Sequence, residues 1–594
     1  MRSKEDILRE VYGYGSFREG QAEIIDDIVA GKDVLAIMPT SAGKSLCYQI
    51  PALMMPGITL VISPLISLMK DQVDSLQVNG IEARGLHGNL SSDAMAETFH
   101  AIERGAVKIL YVAPERLESQ NFRRLIASLD ISLIAVDEAH CISQWGHDFR
   151  TSYRNILSFI HTFPARPRIA AFTGTATPEV QRDIVEQLSM PDEHREYVLS
   201  FNRPNLYFAV EEPRDRYARM RDILQPEESS VVYCRTRKDV EKIAEKLEAD
   251  GLSVGFYHAG LDAQERTKIQ EDFQYGNIDI MVATNAFGMG IDKADVRQVI
   301  HYGISNSLEA YYQEAGRAGR DGEKSRCTLF YSASDVMSAL HMVEESHNPL
   351  ASRKLRAMIR YAQTSQCLRK NILAYFGEDL AEDCQDCSNC LHAGPTVDIT
   401  QESLKILSCV YRIFEHVHYN VGMGKVAAIL KGRNTADLRD KGFDQISTYG
   451  LLKDMDESLI KKYIQILIAD DYLAVDPQYA SISLTRLGFE FCRHPHPIIT
   501  RPRRTSKVRS TSAVDSTVDY PADLFERLRA KRLELAREQS IAPFMVFADK
   551  TLKQCAAQQP LNYEEFLQLS GVGHKKADQY ADIFITIIKQ WKEQ

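Results

Sequence analysis

The chain has 594 residues, 44% hydrophobic and 26% charged, with a net charge of −10 at neutral pH. That length holds several domains, no apolar run is long enough to span a bilayer, and the charged stretch 1–10 carries no secretory pattern, so a cytoplasmic, membrane-free protein is expected. The acidic total excludes a surface coated in positive charge though not a local basic groove, and eleven cysteines in a chain this long exclude a disulfide scaffold.

From residue 34 to about residue 332, short β-branched runs alternate with amphipathic helical stretches. The runs 34–38, 59–63, 108–112, 133–136 and 169–172 are almost wholly apolar, as parallel strands covered on both faces are. A second series follows at 230–234, 254–257, 278–283, 296–302 and 326–331. Two successive α/β units are predicted. After about residue 346 the strand signal fades. Residues 354–376 have helical periodicity and precede a cysteine cluster. Residues 401–493 mix helices with a short hairpin-like pair, 472–475 and 481–485. Residues 493–512 hold six Lys or Arg and no acidic residue, and read as a linker. A compact helical pattern returns over 520–594.

The run 34–38 leads into Pro39-Thr40-Ser41-Ala42-Gly43-Lys44-Ser45 and then a helical stretch. Such a loop turns successive backbone N–H groups and a helix N-terminus toward a polyphosphate. Lys44 would reach the outer phosphates and Ser45 would hold Mg²⁺, so ATP with Mg²⁺ is expected. Met38 stands where the strict pattern has its first glycine, and an ordinary strand–turn–helix is the competing reading. Asp137-Glu138-Ala139-His140 directly follows the run 133–136. A carboxylate at the C-terminal end of a parallel strand is expected beside the phosphate loop of a neighbouring strand. Asp137 is then assigned to the metal ion and Glu138 to the attacking water. The third element, Gln313-Glu314-Ala315-Gly316-Arg317-Ala318-Gly319-Arg320, ends the helical stretch 307–318. Read as helix, it puts Arg317 and Arg320 on one face, able to reach across a cleft to a γ-phosphate.

Together these elements resemble the superfamily 2 helicases, and the RecQ family among them. Further matching stretches are Phe17-Arg18-Glu19-Gly20-Gln21, Ser63-Pro64-Leu65, Thr173-Gly174-Thr175-Ala176-Thr177, Tyr257-His258-Ala259-Gly260-Leu261 and Ala286-Phe287-Gly288-Met289-Gly290-Ile291-Asp292. The resemblance implies that Gln21 reads the adenine edge with Arg18 nearby. It implies that Thr40, Ser41, Ala42, Gly43, Lys44 and Ser45 cradle the phosphates and that Gln313 lies at the nucleotide. Gly290 and Asp292 would belong to the segment linking nucleotide state to lobe closure. Cys141-Ile142-Ser143-Gln144-Trp145-Gly146-His147-Asp148-Phe149-Arg150 resembles the family's aromatic-rich loop. Trp145 and Phe149 offer stacking faces to unpaired bases, worth about 1–3 kcal/mol per base, while Gln144, His147 and Arg150 add polar contacts. Ser41 and Ala42 replace two glycines of the family pattern, which leaves the loop less backbone freedom.

Cys367, Cys384, Cys387 and Cys390 form C-x₁₆-C-x₂-C-x₂-C. That spacing closes a four-thiolate shell around a structural Zn²⁺ with no position left for water; an iron–sulfur site is the rival. It resembles the RecQ zinc module, with the upstream cysteine on a helix. Residues 401–493 read as a winged helix, with Lys425 and Arg433 among the basic positions expected to face DNA phosphates and protein docking as the alternative. The resemblance adds contact with single-strand-binding protein through this module. Residues 524–591 resemble the HRDC module: the turn Gly571-Val572-Gly573 opens a helix and offers N–H groups, Lys575 and Lys576 to a phosphate. A protein partner fits it equally.

The predicted architecture is α/β: two tandem RecA-like lobes with parallel sheets (1–205 and 206–345), a zinc-binding helical module (346–395), a winged helix (396–493), a basic linker (494–519) and a helical HRDC-like domain (520–594). The predicted activity is ATP-driven 3′ to 5′ translocation on single-stranded DNA, unwinding tailed duplexes in repair and recombination. An RNA helicase and a DNA-binding scaffold with a vestigial ATPase compete with it. The aromatic-rich loop, the four cysteines and the HRDC-like tail favour DNA. The intact set Lys44, Asp137, Glu138, Arg317 and Arg320 favours an active enzyme.

Overall fold

The computed structural model describes the chain except residues 1, 41, 89, 128, 147, 227, 288–292, 346–347, 392–396, 477–478, 480, 501–519, 540, 542 and 594. Seven parallel strands form the first sheet: β1 (Val34–Ile37), β2 (Ile58–Ile62), β3 (Ala83–Leu86), β4 (Ile109–Val112), β5 (Ile131–Val136), β6 (Arg168–Thr173) and β7 (Arg195–Val198). Their order is β3-β4-β2-β5-β6-β1-β7. β1, β2 and β4 are buried along their whole length, which is why they read as unbroken apolar runs. The sequence reading missed β3 and β7, the two edges, where Arg84, Gly85, Arg195 and Glu196 interrupt the apolar signal.

A second, six-stranded parallel sheet comprises β8 (Leu206–Glu211), β9 (Ser230–Tyr233), β10 (Val254–Tyr257), β11 (Ile280–Ala283), β12 (Gln298–His301) and β13 (Ser325–Phe330), in the order β10-β11-β9-β12-β13-β8. β8, also an edge strand, was missed too. Two sequence expectations need correction. β1 and β5 are not neighbours, because β6 lies between them. The helix read over 307–318 runs only Leu308–Ala315, started by the Ser307 side chain accepting from Ala310 N; Arg317 and Arg320 lie in the turn after it.

The helical stretch 354–376 is two helices, Pro349–Gln363 and Leu368–Tyr375. Cys367 caps the second, its Sγ accepting from Lys370 N, so it precedes the helix and is not on it. Next come the helices Thr400–Val417, Met423–Lys431 and Glu457–Ala469 and a three-stranded sheet from Val421–Gly422, Leu473–Val475 and Ser481–Leu484. They enclose their own apolar core, built on Ile406, Ile429, Ile464 and Leu473. The last unit, from Ala522–Glu538 to His574–Lys592, is all helical with a separate core around Leu528, Phe547 and Phe584.

That last unit packs across both lobes. Gly571 N donates to Gly13 O at 2.8 Å and Lys575 Nζ to Gln77 O at 3.1 Å on the first lobe. Arg537 bonds Asn277 at 2.6 Å and Lys553 lies 3.6 Å from Glu323 on the second. Among the described residues no helix is long and apolar enough to cross a membrane.

Candidate nucleotide cleft, metal centre and DNA-facing loop

The two lobes and the C-terminal unit enclose a cavity of about 620 Å³ lined by Arg18, Gln21, Thr40, Gly43, Lys44, Ser45, Asp137, Glu138, Gln313, Arg317 and Arg320. Three sequence segments distant along the chain thus meet in one place. Gln21 is buried: its carboxamide oxygen accepts from Arg18 N at 2.9 Å and its amide donates to Ala42 O and Gly43 O at 3.0 and 3.2 Å. Gly43 has φ +81°, and a Cβ there would lie 2.5 Å from Gln21 Nε2. Only glycine satisfies both the left-handed backbone and the close approach. Ala42 needs no such backbone, since it is absent from the positive-φ residues. Ser41 lies outside the described residues.

Lys44 Nζ reaches past β6 to lie 3.7 Å from Glu138 Oε1. Asp137 is buried, accepts from Glu138 N at 3.0 Å and lies 3.4 Å from Ser63 Oγ, while Tyr153 OH holds its carbonyl at 2.9 Å. Burial and the adjacent Glu138 push the Asp137 carboxyl up, against Lys44. A hydroxyl and a carboxylate, Ser45 and Asp137, on one cavity wall are the hard oxygen donors that Mg²⁺ takes. Glu138 has φ 47° and ψ 47°, left-handed for a residue with a side chain. His140 lies 3.3 Å from Glu138 Oε2 and 2.8 Å from Thr173 Oγ1 at the end of β6.

Arg317 is buried opposite, and burial pulls its guanidinium below the usual value, with Tyr233 opposing that shift and Arg320 adding to it. It makes no ion pair with a carboxylate among the described residues, so an arriving phosphate would compensate a charge already desolvated. The sequence reading missed Arg203. This buried side chain donates to Thr40 O at 3.1 Å on the phosphate loop and to Gly316 O, Ala318 O and Gly319 O at 3.3, 3.0 and 2.8 Å on the arginine turn. Arg369 in turn holds Arg203 O and Leu206 O. A single arginine in an inter-lobe connection has no periodicity to announce it; Pro204 beside it was the one local hint of a fixed backbone. Gly290 and Asp292 lie outside the described residues.

Directly after the Asp-Glu-Ala-His box Cys141, Ile142 and Ser143 remain buried, and exposure begins at Gln144. Trp145 and Phe149 are 43% and 37% exposed, available to stack and not core residues. Arg353 lies over the Trp145 ring at 5.6 Å and Arg154 over Phe149 at 5.0 Å. Gln144 is exposed. Arg150 is occupied within the protein, bonding Asp148 at 3.1 Å and Pro64 O at 2.9 Å. His147 lies outside the described residues.

Ligand atoms of Cys367, Cys384, Cys387 and Cys390 lie within 4.8 Å of one another. Backbone N–H groups of Lys370, Cys384, Leu368 and Asp386 point at their sulfurs at 3.3–3.4 Å. Four converging sulfurs, those of Cys367, Cys384 and Cys387 receiving N–H donors, suit a thiolate shell around Zn²⁺. Among the accessory lysines and arginines, Lys425 pairs with Asp437 at 2.8 Å and Arg433 with Glu457 at 3.1 Å, both on the winged-helix surface. The Gly571 turn is covered: its helix N-terminus lies against the first lobe and Lys575 is engaged there. Lys576 lines the nucleotide cavity, where burial lowers its ammonium to about 8. In this arrangement Lys575 is exposed while bonding Gln77 O, and Lys576 turns toward the cavity.

Two parallel RecA-like sheets, a phosphate loop after β1, an acidic box after β5 and arginines delivered from the second lobe define a DEAD/DEAH-box type helicase ATPase. The family models agree: DEAD/DEAH box helicase over residues 18–184, helicase conserved C-terminal domain over 215–322, RecQ zinc-binding over 333–391, RQC domain over 394–509 and HRDC domain over 522–588. The chain is 40% identical over 595 residues to the ATP-dependent DNA helicase RecQ of Bacillus subtilis, covering 99% of this chain and 98% of that one. It is 40% identical to the protein of that name from Pasteurella multocida and 38% to that from Haemophilus influenzae, covering 99% of this chain in each case and 94% and 96% of theirs. The chain belongs to the RecQ family of ATP-dependent DNA helicases.

Proposed function

We propose that this enzyme hydrolyses ATP in the inter-lobe cavity and converts the resulting opening and closing into 3′ to 5′ movement along single-stranded DNA, displacing the paired strand. The observation that carries this reading is the meeting of Lys44, Asp137, Glu138, Arg317 and Arg320 around one cavity, with the exposed Trp145 and Phe149 a few residues beyond Glu138. Gln21 and Arg18 select the base. Lys44 and the loop N–H groups from Thr40 to Ser45 hold the phosphates. Mg²⁺ bound by Ser45 and Asp137 would screen charge on the phosphate oxygens. Glu138 takes a proton from water as its oxygen attacks the γ-phosphorus and the bond to the β-phosphate oxygen breaks, releasing ADP and phosphate. Arg317 and Arg320, with Gln313, draw the second lobe onto the γ-phosphate and stabilise the charge. Cys367, Cys384, Cys387 and Cys390 would hold a Zn²⁺ that ties their segments together beside the second lobe.

We assign the contact with single-strand-binding protein to the winged helix, where Tyr411, Phe414, Leu487 and Phe489 are exposed and Tyr411 meets Phe489 edge-on at 5.9 Å. The setting is DNA repair and recombination in the cytoplasm. The test is displacement of a labelled strand from duplexes with a 3′ or a 5′ single-stranded tail, with ATP and Mg²⁺. Only the 3′-tailed duplex should open, and Lys44→Ala should abolish both opening and ATP turnover. ATP turnover without opening of either duplex would overturn the helicase reading, and an RNA duplex is then the next substrate.

A further inference from the structure

Lys354, on the helix Pro349–Gln363, is buried although nothing in its sequence surroundings marks it. Its ammonium donates to Trp145 O at 2.6 Å and Gly146 O at 2.7 Å and lies 3.6 Å from Glu309 Oε1. Two of its N–H donors thus meet loop carbonyls, and the same ammonium forms an ion pair with Glu309. Burial works against this charge, and Glu309 beside it works for it. Such a buried cation persists only where its acceptors are held in place.

Both ends of this clasp lead to the ATPase. Glu309 is buried at the start of the helix Leu308–Ala315, which carries Gln313 and runs into the Arg317 turn. On the other side, Gly146 is pressed against the acidic box: a Cβ there would lie 2.3 Å from His140 O. His140 in turn lies 3.3 Å from Glu138 Oε2. The neighbouring Arg353 covers the Trp145 ring and bonds Glu179 at 2.6 Å, so a base stacking on Trp145 competes for the ring that this helix already touches.

We propose that Lys354 is a positioning residue that couples the aromatic-rich loop to the second lobe, so that DNA on Trp145 is communicated to Gln313 and Arg317 as well as to Glu138. One ammonium holds two loop carbonyls and the carboxylate of the arginine-bearing helix. A loop displaced by DNA draws Glu309, and with it the helix, in the same movement. The inference rests on the reading of the chain as a DNA-stimulated ATPase.

The experiment is steady-state ATP hydrolysis by the full chain with and without saturating oligo(dT), for wild type, Lys354→Met, Lys354→Arg and Glu309→Gln. Trp145 fluorescence is read in a Trp591→Phe background, since the chain has two tryptophans. Lys354→Met should keep its DNA-free rate and its KM for ATP within about twofold of wild type while losing about tenfold of the DNA-stimulated kcat. Its Trp145 signal should still respond to oligo(dT): DNA reaches the loop, but the response stops there. Lys354→Arg, still a buried cation with several donors, should restore most of the stimulation, and Glu309→Gln should lose part of it. Full stimulation in Lys354→Met, or equal falls in its DNA-free and DNA-stimulated rates, would overturn the proposal. Absence of stimulation in wild type would instead remove the DNA-stimulated reading, and this coupling with it.

Discussion

Glu138 holds a left-handed backbone with its side chain between Lys44 and His140. A non-glycine residue in that region costs on the order of 1–3 kcal/mol and persists where the surroundings fix it. Here the Asp137 carboxylate takes the Glu138 N–H and Tyr153 takes the Asp137 carbonyl. The strain aims the carboxylate into the cavity, where a water nucleophile would sit. On the far wall Arg317 is a desolvated cation awaiting an anion. Arg317→Ala should therefore lower kcat by about 10³-fold or more with a much smaller change in nucleotide affinity, checked by ATPase rates beside binding of a fluorescent ADP. Equal losses in both would make Arg317 a general binding group. These side chains were legible because each stands in an ordered motif whose chemistry names its partners. Arg203 was not, because four of its acceptors are backbone carbonyls and carbonyls leave no trace in a sequence.

At the scale of elements, the central strands of both parallel sheets were legible, whereas of their four edge strands only β10 was. A strand covered on both faces must be apolar throughout, whereas β3, β7 and β8 tolerate Arg, Glu and Tyr at the border. The end of the helix at 315 was lost for a similar reason. Helical spacing continues through Arg317 and Arg320, but three carbonyl bonds of Arg203 gather residues 316–319 into a turn. The zinc module shows spacing and packing separately. Cys387 is fully buried among Phe208, Tyr361 and Leu368, while Cys390 is partly exposed. Cys387→Ser and Cys390→Ser should both lose the metal, because three thiolates no longer close the shell. Cys387→Ser should also lower the unfolding temperature further, by burying an unmatched hydroxyl. Zinc content and thermal melts check this, and retained zinc in either variant would count against a four-cysteine site.

At the scale of the whole molecule, the C-terminal unit supplies one wall of the nucleotide cavity. Phe544, Thr551, Gly571 and Lys576 form part of its wall, and the bonds to Gly13, Gln77 and Asn277 fasten the unit to both lobes. Ending the chain at residue 519 should open that wall and speed release of a fluorescent ADP several-fold, roughly the change that losing one or two such hydrogen bonds brings. Unchanged release would mean that the unit covers the cleft without slowing exchange.

The sequence alone determined the chemistry of this protein and the order of its parts. A phosphate loop, an acidic box, an arginine pair, four thiols and alternating apolar runs are local patterns, set by what each residue type can bind or bury. Tertiary structure alone decided that β6 separates the two halves of the first-lobe site, that Arg203 spans both lobes, that Lys354 clasps the aromatic-rich loop, and that the last unit lines the cleft. Those arrangements depend on backbone carbonyls and on faces brought together from distant positions, and neither has a spacing along the chain that could be read in advance.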